Sequence, residues 1–142
     1  MRIGIVGSEG AKFTTETEQL ARQAIRNLLS PGDVVVSGKC HLGGIDIWAV
    51  EEGTKLGLEC VEYPPHVLAW PGYQARNLKI ARDSDLVVCL TVKEFPPDYQ
   101  GMRFPYCYHC KTDQHIKSGG CWTVKQAKLM GKEGRIVVIT QT

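Results

Sequence analysis

Cys107, Cys110, His115 and Cys121 stand in the pattern Cys-x2-Cys-x4-His-x5-Cys, four metal-binding side chains within 15 residues. Three thiolates and one imidazole form a donor set that tetrahedral zinc takes, and a two-residue gap lets the first two sulfurs reach one ion. The spacing is close to that of a zinc knuckle, with the last gap one residue longer. Four protein ligands leave no open position, so the pattern predicts a structural zinc rather than a catalytic one. His109 could replace His115, but its place between two cysteines strains it as a ligand. The competing reading is a set of free thiols in a surface loop. Cys40 and His41 sit on another loop, as spare ligands or plain loop residues. Cys60 and Cys89 fall in apolar runs and read as core thiols.

Four other segments have the composition of ligand loops. Gly7-Ser8-Glu9-Gly10 follows an apolar run, where backbone N–H groups can meet a phosphate, or it is a tight turn. It lacks the third glycine of the dinucleotide fingerprint and the Gly-Lys-Ser/Thr of a P-loop. Ser37 to Asp46 runs through Gly38, Gly43 and Gly44, where glycines let a ligand approach the backbone and a following helix start favours an anion. Asp46 suits a ribose hydroxyl or, equally, the positive end of its own helix. Arg76 suits bidentate capture of phosphate or carboxylate, though a lone helical arginine is more often a solvated surface group. Ser118-Gly119-Gly120-Cys121-Trp122-Thr123 places two glycines at a helix entry, another anion site, with Ser118 as its cap.

The elements that must position these residues alternate. Residues 2–7, 33–37, 58–63, 85–90 and 135–139 read as buried strands. Between them come helical patterns over Thr14–Leu29 (Leu20, Ala24, Ile25 and Leu28 on one face), from Gly43-Gly44 to Gly57 (Ile45, Trp48, Ala49, Glu52 and Leu56), over Tyr73–Arg82 and over Trp122–Met130. Residues 64–72 form a proline-rich loop. Residues 91–120 break the alternation and form an insert that is functional or carries its own structure. Continuous apolar strands alternating with helices predict an α/β fold. This is a Rossmann-like doubly wound, mostly parallel five-stranded sheet with helices on both faces and a metal-binding loop insert. Ligands of such sheets sit outside the carboxyl ends of the strands.

The 142 residues suit one domain, 1–142, with the zinc-binding insert at 91–121. A net charge of +2 is too weak to argue for a strong nucleic-acid surface. The N-terminal apolar run is too short for a signal-peptide core, and no stretch approaches the roughly 20 apolar residues that span a bilayer. These features predict a cytoplasmic protein with no membrane partner, in which six cysteines are thiols or metal ligands rather than disulfides.

Together, Gly4-Ile5-Val6-Gly7-Ser8, Val36-Ser37-Gly38, Gly43-Gly44-Ile45-Asp46 with Ala49, Arg76-Asn77 before Asp85-Leu86-Val87-Val88, and Gly119-Gly120 with Thr123 form an ordered set of motifs. In that order the chain resembles the SLOG superfamily of Rossmann-like proteins. Its members include the LOG-type cytokinin-activating phosphoribohydrolases, often labelled lysine decarboxylase-like, and the DNA-processing protein A fold. The resemblance spans nearly the whole chain outside residues 91–117. LOG-type enzymes carry a Pro-Gly-Gly-x-Gly-Thr-x-x-Glu run that binds a phosphoribosyl group and supplies a catalytic glutamate. The resemblance puts Gly119, Gly120 and Thr123 on that run and the catalytic arginine on Arg76. Ser118 stands for the proline, Trp122 for the next glycine, where it crowds a phosphate or stacks on a base, and Gln126 for the glutamate. A neutral amide cannot act as a base or stabilise an oxocarbenium charge as a carboxylate does.

Three functions follow. The first is binding of a nucleotide or nucleotide-derived, phosphate-bearing ligand by Gly7, Ser8, Gly38, Gly43, Gly44, Asp46, Arg76, Gly119, Gly120 and Thr123, with zinc ordering the insert as a lid. The second is hydrolysis of a nucleotide N-glycosidic bond, with Arg76, Asp46 or Gln126 as candidate catalytic groups and Asp46, Glu9 or Glu51 replacing the lost carboxylate. The third is an interaction module in which Phe104, Tyr106, Tyr108 and Trp122 stack on nucleic acid or, as the preferred reading, pack around the metal loop. A homodimer is expected by analogy with related folds.

Overall fold

The computed structural model describes residues 1–141, and in it five strands form one all-parallel sheet in the order β3-β2-β1-β4-β5. The strands are β1 (Arg2–Gly7), β2 (Val34–Ser37), β3 (Glu59–Glu62), β4 (Leu86–Val92) and β5 (Glu133–Ile139). The helices are α1 (Thr15–Leu28), α2 (Ile45–Lys55), α3 (Trp70–Asp83) and α4 (Gly119–Leu129), with a single 3-10 turn at Gly10–Lys12. The chain winds outward from β1 to β3, then crosses back to place β4 beside β1 and β5 beyond it. The reversal leaves a crevice at the carboxyl ends of β1 and β4, where ligands of such sheets bind.

Strand periodicity divides the core into two layers. Ile3, Ile5, Val35, Val88 and Leu90 face Ala21 and Ile25 of α1 and Ile45, Trp48 and Ala49 of α2. Val6, Val36, Val87 and Cys89 face Ile80 and Ala81 of α3 and Val124 and Ala127 of α4. The interior strand β4 is buried along its whole length, as a parallel strand covered on both sides must be.

Several boundaries differ from the sequence reading. β4 runs on through Thr91 and Val92, which pair with Val138 and Ile139 of β5. The Ser8 and Thr91 hydroxyls share a 2.8 Å hydrogen bond at that end. α3 begins three residues early at Trp70 because Pro71 in its first turn needs no hydrogen-bond acceptor. α4 begins at Gly119, where the Ser118 hydroxyl accepts from the Gly120 amide. The insert proper is therefore residues 93–118. Leu20, expected on the buried face of α1, is exposed, and so is Leu56 after α2. Thr17, Ala21 and Ile25 form the buried stripe of α1, with Ala24 and Leu28 packed at its edge as expected.

α1 and α2 are joined by an ionic network under solvent. The Glu52 carboxylate is 1% exposed and accepts from Arg26 Nη1 at 2.6 Å and Arg22 Nη1 at 2.7 Å, with Lys55 Nζ at 3.3 Å. Arg22 also reaches Glu18 and Glu51. Burial pushes the Glu52 carboxyl up, but the hydrogen bonds from Arg26, Arg22 and Lys55 outweigh it and hold the pKa at about 2. The depressed value stabilises the fold above the unfolded pKa and is lost as pH falls from about 4.5 toward about 2. Glu52→Gln should therefore cost about 3 kcal/mol near neutral pH, and the gap to wild type should narrow around pH 3. Denaturant unfolding at the two pH values measures this; a gap that does not depend on pH would refute the role given to the network.

Candidate metal centre and adjoining pocket

The insert leaves β4 at Lys93 and folds back so that the Ile116 amide donates to the Val92 carbonyl at 3.0 Å. Its tip is a tight hairpin in which Cys107 and Thr112 exchange backbone hydrogen bonds, Cys107 N–H to Thr112 O at 2.8 Å and Thr112 N–H to Cys107 O at 3.2 Å. Lys111 takes a left-handed φ of 55° to turn the chain after Cys110. This geometry brings Cys107 and Cys110 to one side of the hairpin. His115 follows on the return segment, and Cys121 projects from the first turn of α4.

The four ligand atoms of Cys107, Cys110, His115 and Cys121 lie within 4.8 Å of one another. His109 is outside the group; its ring instead packs on Tyr108 with centroids 4.4 Å apart. Cys40 and His41 are outside it too. His115 Nδ1 lies 2.9 Å from the Ile116 carbonyl, which can only accept, so Nδ1 carries the proton and Nε2 is left to ligate. Burial opposes ionisation of Cys107, but the backbone amides of Cys110, Ser118 and His109 outweigh it and pull its pKa down. Cys110 is pushed up to about 12, first by burial and then by Cys121 and Cys107 beside it. Cys121 is raised as well, chiefly by Cys89. Ionisation is thus easier at Cys107 than at its two crowded neighbours. A cation at the centre removes that repulsion and displaces the protons, as metal binding to thiols does. The donor set, the closeness of its ligand atoms and the backed imidazole all fit a metal ion.

Cys89 is more than a core thiol. Its sulfur lies 3.9 Å from Cys121 Sγ and 3.7 Å from Ser118 Oγ, on the sheet side of the cluster. Cys60 is half-buried beside α2.

A cavity of about 200 Å³ opens next to this centre, lined by Gly7, Asp46, Tyr73, Arg76, Gly119 and Gly120, with Trp70 and Lys117 at its rim. Asp46 is 6% exposed and Arg76 8%. Arg76 Nη1 donates to the Gly38 carbonyl and lies 3.7 Å from Asp46 Oδ2, and its guanidinium stands 5.4 Å from the Tyr73 ring centroid. Its Nε is buried without a hydrogen-bond partner. Burial pushes the Asp46 carboxyl up to about 6, against the pull of Arg76 and of the Cys40 backbone amide. The amino end of α4, with its partial positive charge, forms the opposite wall.

The other ligand candidates are dispersed. Ser8 spends its hydroxyl on Thr91, and Gly38 stands behind Arg76. Gly44, at φ 88°, is pressed against the backbone of Ser8 and Glu9, where no side chain fits. Gly43 lines a separate shallow cavity with His41, Pro65 and Leu68. Thr123 is fully buried, its hydroxyl without a hydrogen-bond partner, and Gln126 is not among the residues that line the pocket. Of the three replacement carboxylates only Asp46 reaches the pocket. Glu9 pairs with Lys12, and Glu51 pairs with Arg22 on the far helical face. Trp122 neither blocks nor lines the cavity; it packs edge-on against Trp70 at 5.3 Å. The lining residues Trp70 and Lys117 carry no motif in the sequence, whereas Tyr73 and Asn77 flank Arg76 in one candidate segment.

No protein-family profile matches the chain, and no curated protein is a significant match to it.

The centre yields a direct test. Purified protein should carry one equivalent of metal by elemental analysis, and Cys107→Ser and Cys121→Ser should each lose it. Chelation should speed amide exchange across residues 93–118 while β1 and β4 stay protected. Metal-free wild type would remove the basis for the site.

Proposed function

We propose that the pocket binds a nucleotide or nucleotide-derived ligand through its phosphate, and that zinc on Cys107, Cys110, His115 and Cys121 is the structural metal that fixes the insert beside it. Arg76 carries this reading. A guanidinium that is nearly enclosed, with Nε unpartnered, is costly unless an acceptor completes it. A phosphate placed between Arg76 and the start of α4 meets both a fixed cation and the positive end of a helix.

The cavity is smaller than the roughly 300–1,000 Å³ of sites that enclose drug-sized ligands. At about 200 Å³ it suits a phosphorylated sugar, leaving the base at the rim near Trp70. Asp46, beside Arg76, then faces the sugar hydroxyls. The placement accords with membership of the SLOG superfamily, which is part of this proposal, as are a cytoplasmic location and a homodimer. Among the described residues no helix is long and apolar enough to cross a membrane.

A second reading has one observation in its favour. Asp46 is the single carboxylate among the pocket-lining residues, and burial raises its pKa to about 6. In a nucleotide N-glycosidase it would take the role of the carboxylate that Gln126 cannot fill.

Titration calorimetry with adenosine monophosphate, the bare nucleoside and inorganic phosphate tests the first reading. The monophosphate should bind, the nucleoside far more weakly, and Arg76→Gln should weaken the monophosphate by about tenfold or more. Equal binding of nucleoside and monophosphate would overturn it. Release of free base from nucleoside monophosphates tests the second. It should rise as pH passes about 6, where Asp46 becomes charged, and vanish in Asp46→Asn. No base release at any pH leaves binding as the function of the pocket.

A further inference from the structure

Three aromatic residues close in sequence beside the cluster keep about half of their surface in solvent. Phe104 is 45% exposed, Tyr106 50% and Tyr108 55%. The modest net charge of the chain also conceals a strong asymmetry. Residues 101–128 hold five basic side chains, Arg103, Lys111, Lys117, Lys125 and Lys128, and one acidic, Asp113. The rest of the chain carries two more acids than bases.

The rings and the cations share one place. Lys117 Nζ stands 5.7 Å from the Tyr108 ring centroid, and the His109 ring centroid lies 4.4 Å from it. The Lys117 amide donates to the Phe104 carbonyl at 3.0 Å, which sets these two residues side by side. Lys125 lies on α4, one turn beyond Cys121. Arg103 is committed elsewhere, donating to the carbonyls of Pro96, Pro97 and Tyr99.

We infer that this face of the insert is a docking surface for single-stranded nucleic acid, with Phe104, Tyr106 and Tyr108 as stacking faces for unpaired bases and Lys111, Lys117 and Lys125 as contacts for the phosphates between them. Exposed rings interleaved with cations are what a flexible strand requires, because every base offers a π-face and every linkage a charge. A duplex hides its base faces and cannot use the rings. A protein partner for three exposed aromatics would not call for a surface so short of acidic residues. The features act on bases and phosphates and not on the sugar, so deoxyribose and ribose strands bind alike. This surface stands apart from the cavity, and its assignment does not depend on the ligand proposed there.

Fluorescence anisotropy with labelled oligo(dT) and oligo(U) of about 12 nucleotides, matched to the span of small single-strand sites, is the test. Both strands should bind at low salt and weaken as salt rises. Tyr108→Ala should reduce affinity by about tenfold. Lys125→Gln should lower the salt slope by about 0.7. Metal content, measured on each variant, confirms that the loop is intact. If Tyr108→Ala sheds its metal, Phe104→Ala, three residues from the nearest ligand, supplies the same readout. The inference fails if neither strand binds, if duplex DNA binds as well as single strands, or if metal-loaded ring variants bind like wild type. It fails equally if the face instead drives concentration-dependent self-association that Phe104→Ala abolishes.

Discussion

Everything at the working edge depends on how closely the first turn of α4 approaches the sheet. At Gly120 an added Cβ would lie 2.8 Å from Cys89 Sγ and 3.0 Å from the Gly7 backbone nitrogen. Neither neighbour can yield easily, because one lies on the buried interior strand and the other is main chain at the end of β1. The absence of a side chain lets the helix start settle onto the ends of β1 and β4. From that one contact two things follow. Gly119 and Gly120 become a wall of the cavity, and Cys121 is carried inward to meet the ligands of the insert. The metal centre and the cavity are thus two sides of a single helical turn.

The cavity wall opposite is set by a different balance. Arg76 and Asp46 come from separate crossovers, one on α3 and one at the start of α2, and each is nearly out of water. At 3.7 Å their charges attract without a close hydrogen bond, and neither fully repays the other's desolvation. That leaves the arginine with an unpaired donor and the aspartate with a raised pKa. Two ionisable groups held in tension at a crevice are the usual mark of a site shaped for something other than stability.

Much of this was legible in the chain itself. The alternation of apolar runs with helical patterns was enough for the parallel sheet and both helical layers. The metal ligands were recognisable because they fall within one short stretch and because their types are rare together. What escaped were features that depend on depth or on chain segments far apart. Trp70, Tyr73 and Lys117 meet at the rim from the helix start of α3 and the end of the insert, and no spacing rule joins them. Cys89 reads as a core residue from strand periodicity, which places it on the α4 face but says nothing of the sulfur it touches there. Leu20 went astray because apolar character alone does not select the buried stripe of α1; the stripe includes Thr17, whose hydroxyl is absorbed by the cap at Thr14.

The insert departs from β4 after Val92 and is drawn back to that same residue by the Ile116 amide. An excursion of some two dozen residues therefore begins and ends at nearly one point on the sheet. Topologically it is a bead threaded onto a strand–helix junction, anchored in the core by Ile116 and by Phe95 packed against it. Such a bead can grow, shrink or be exchanged between chains that share the junction while the strands beneath keep their register. Cys121 adds a further tie at the cluster, and it belongs to the helix and not to the bead. A metal ion held by the cluster would act as a clasp between the bead and the frame beneath it.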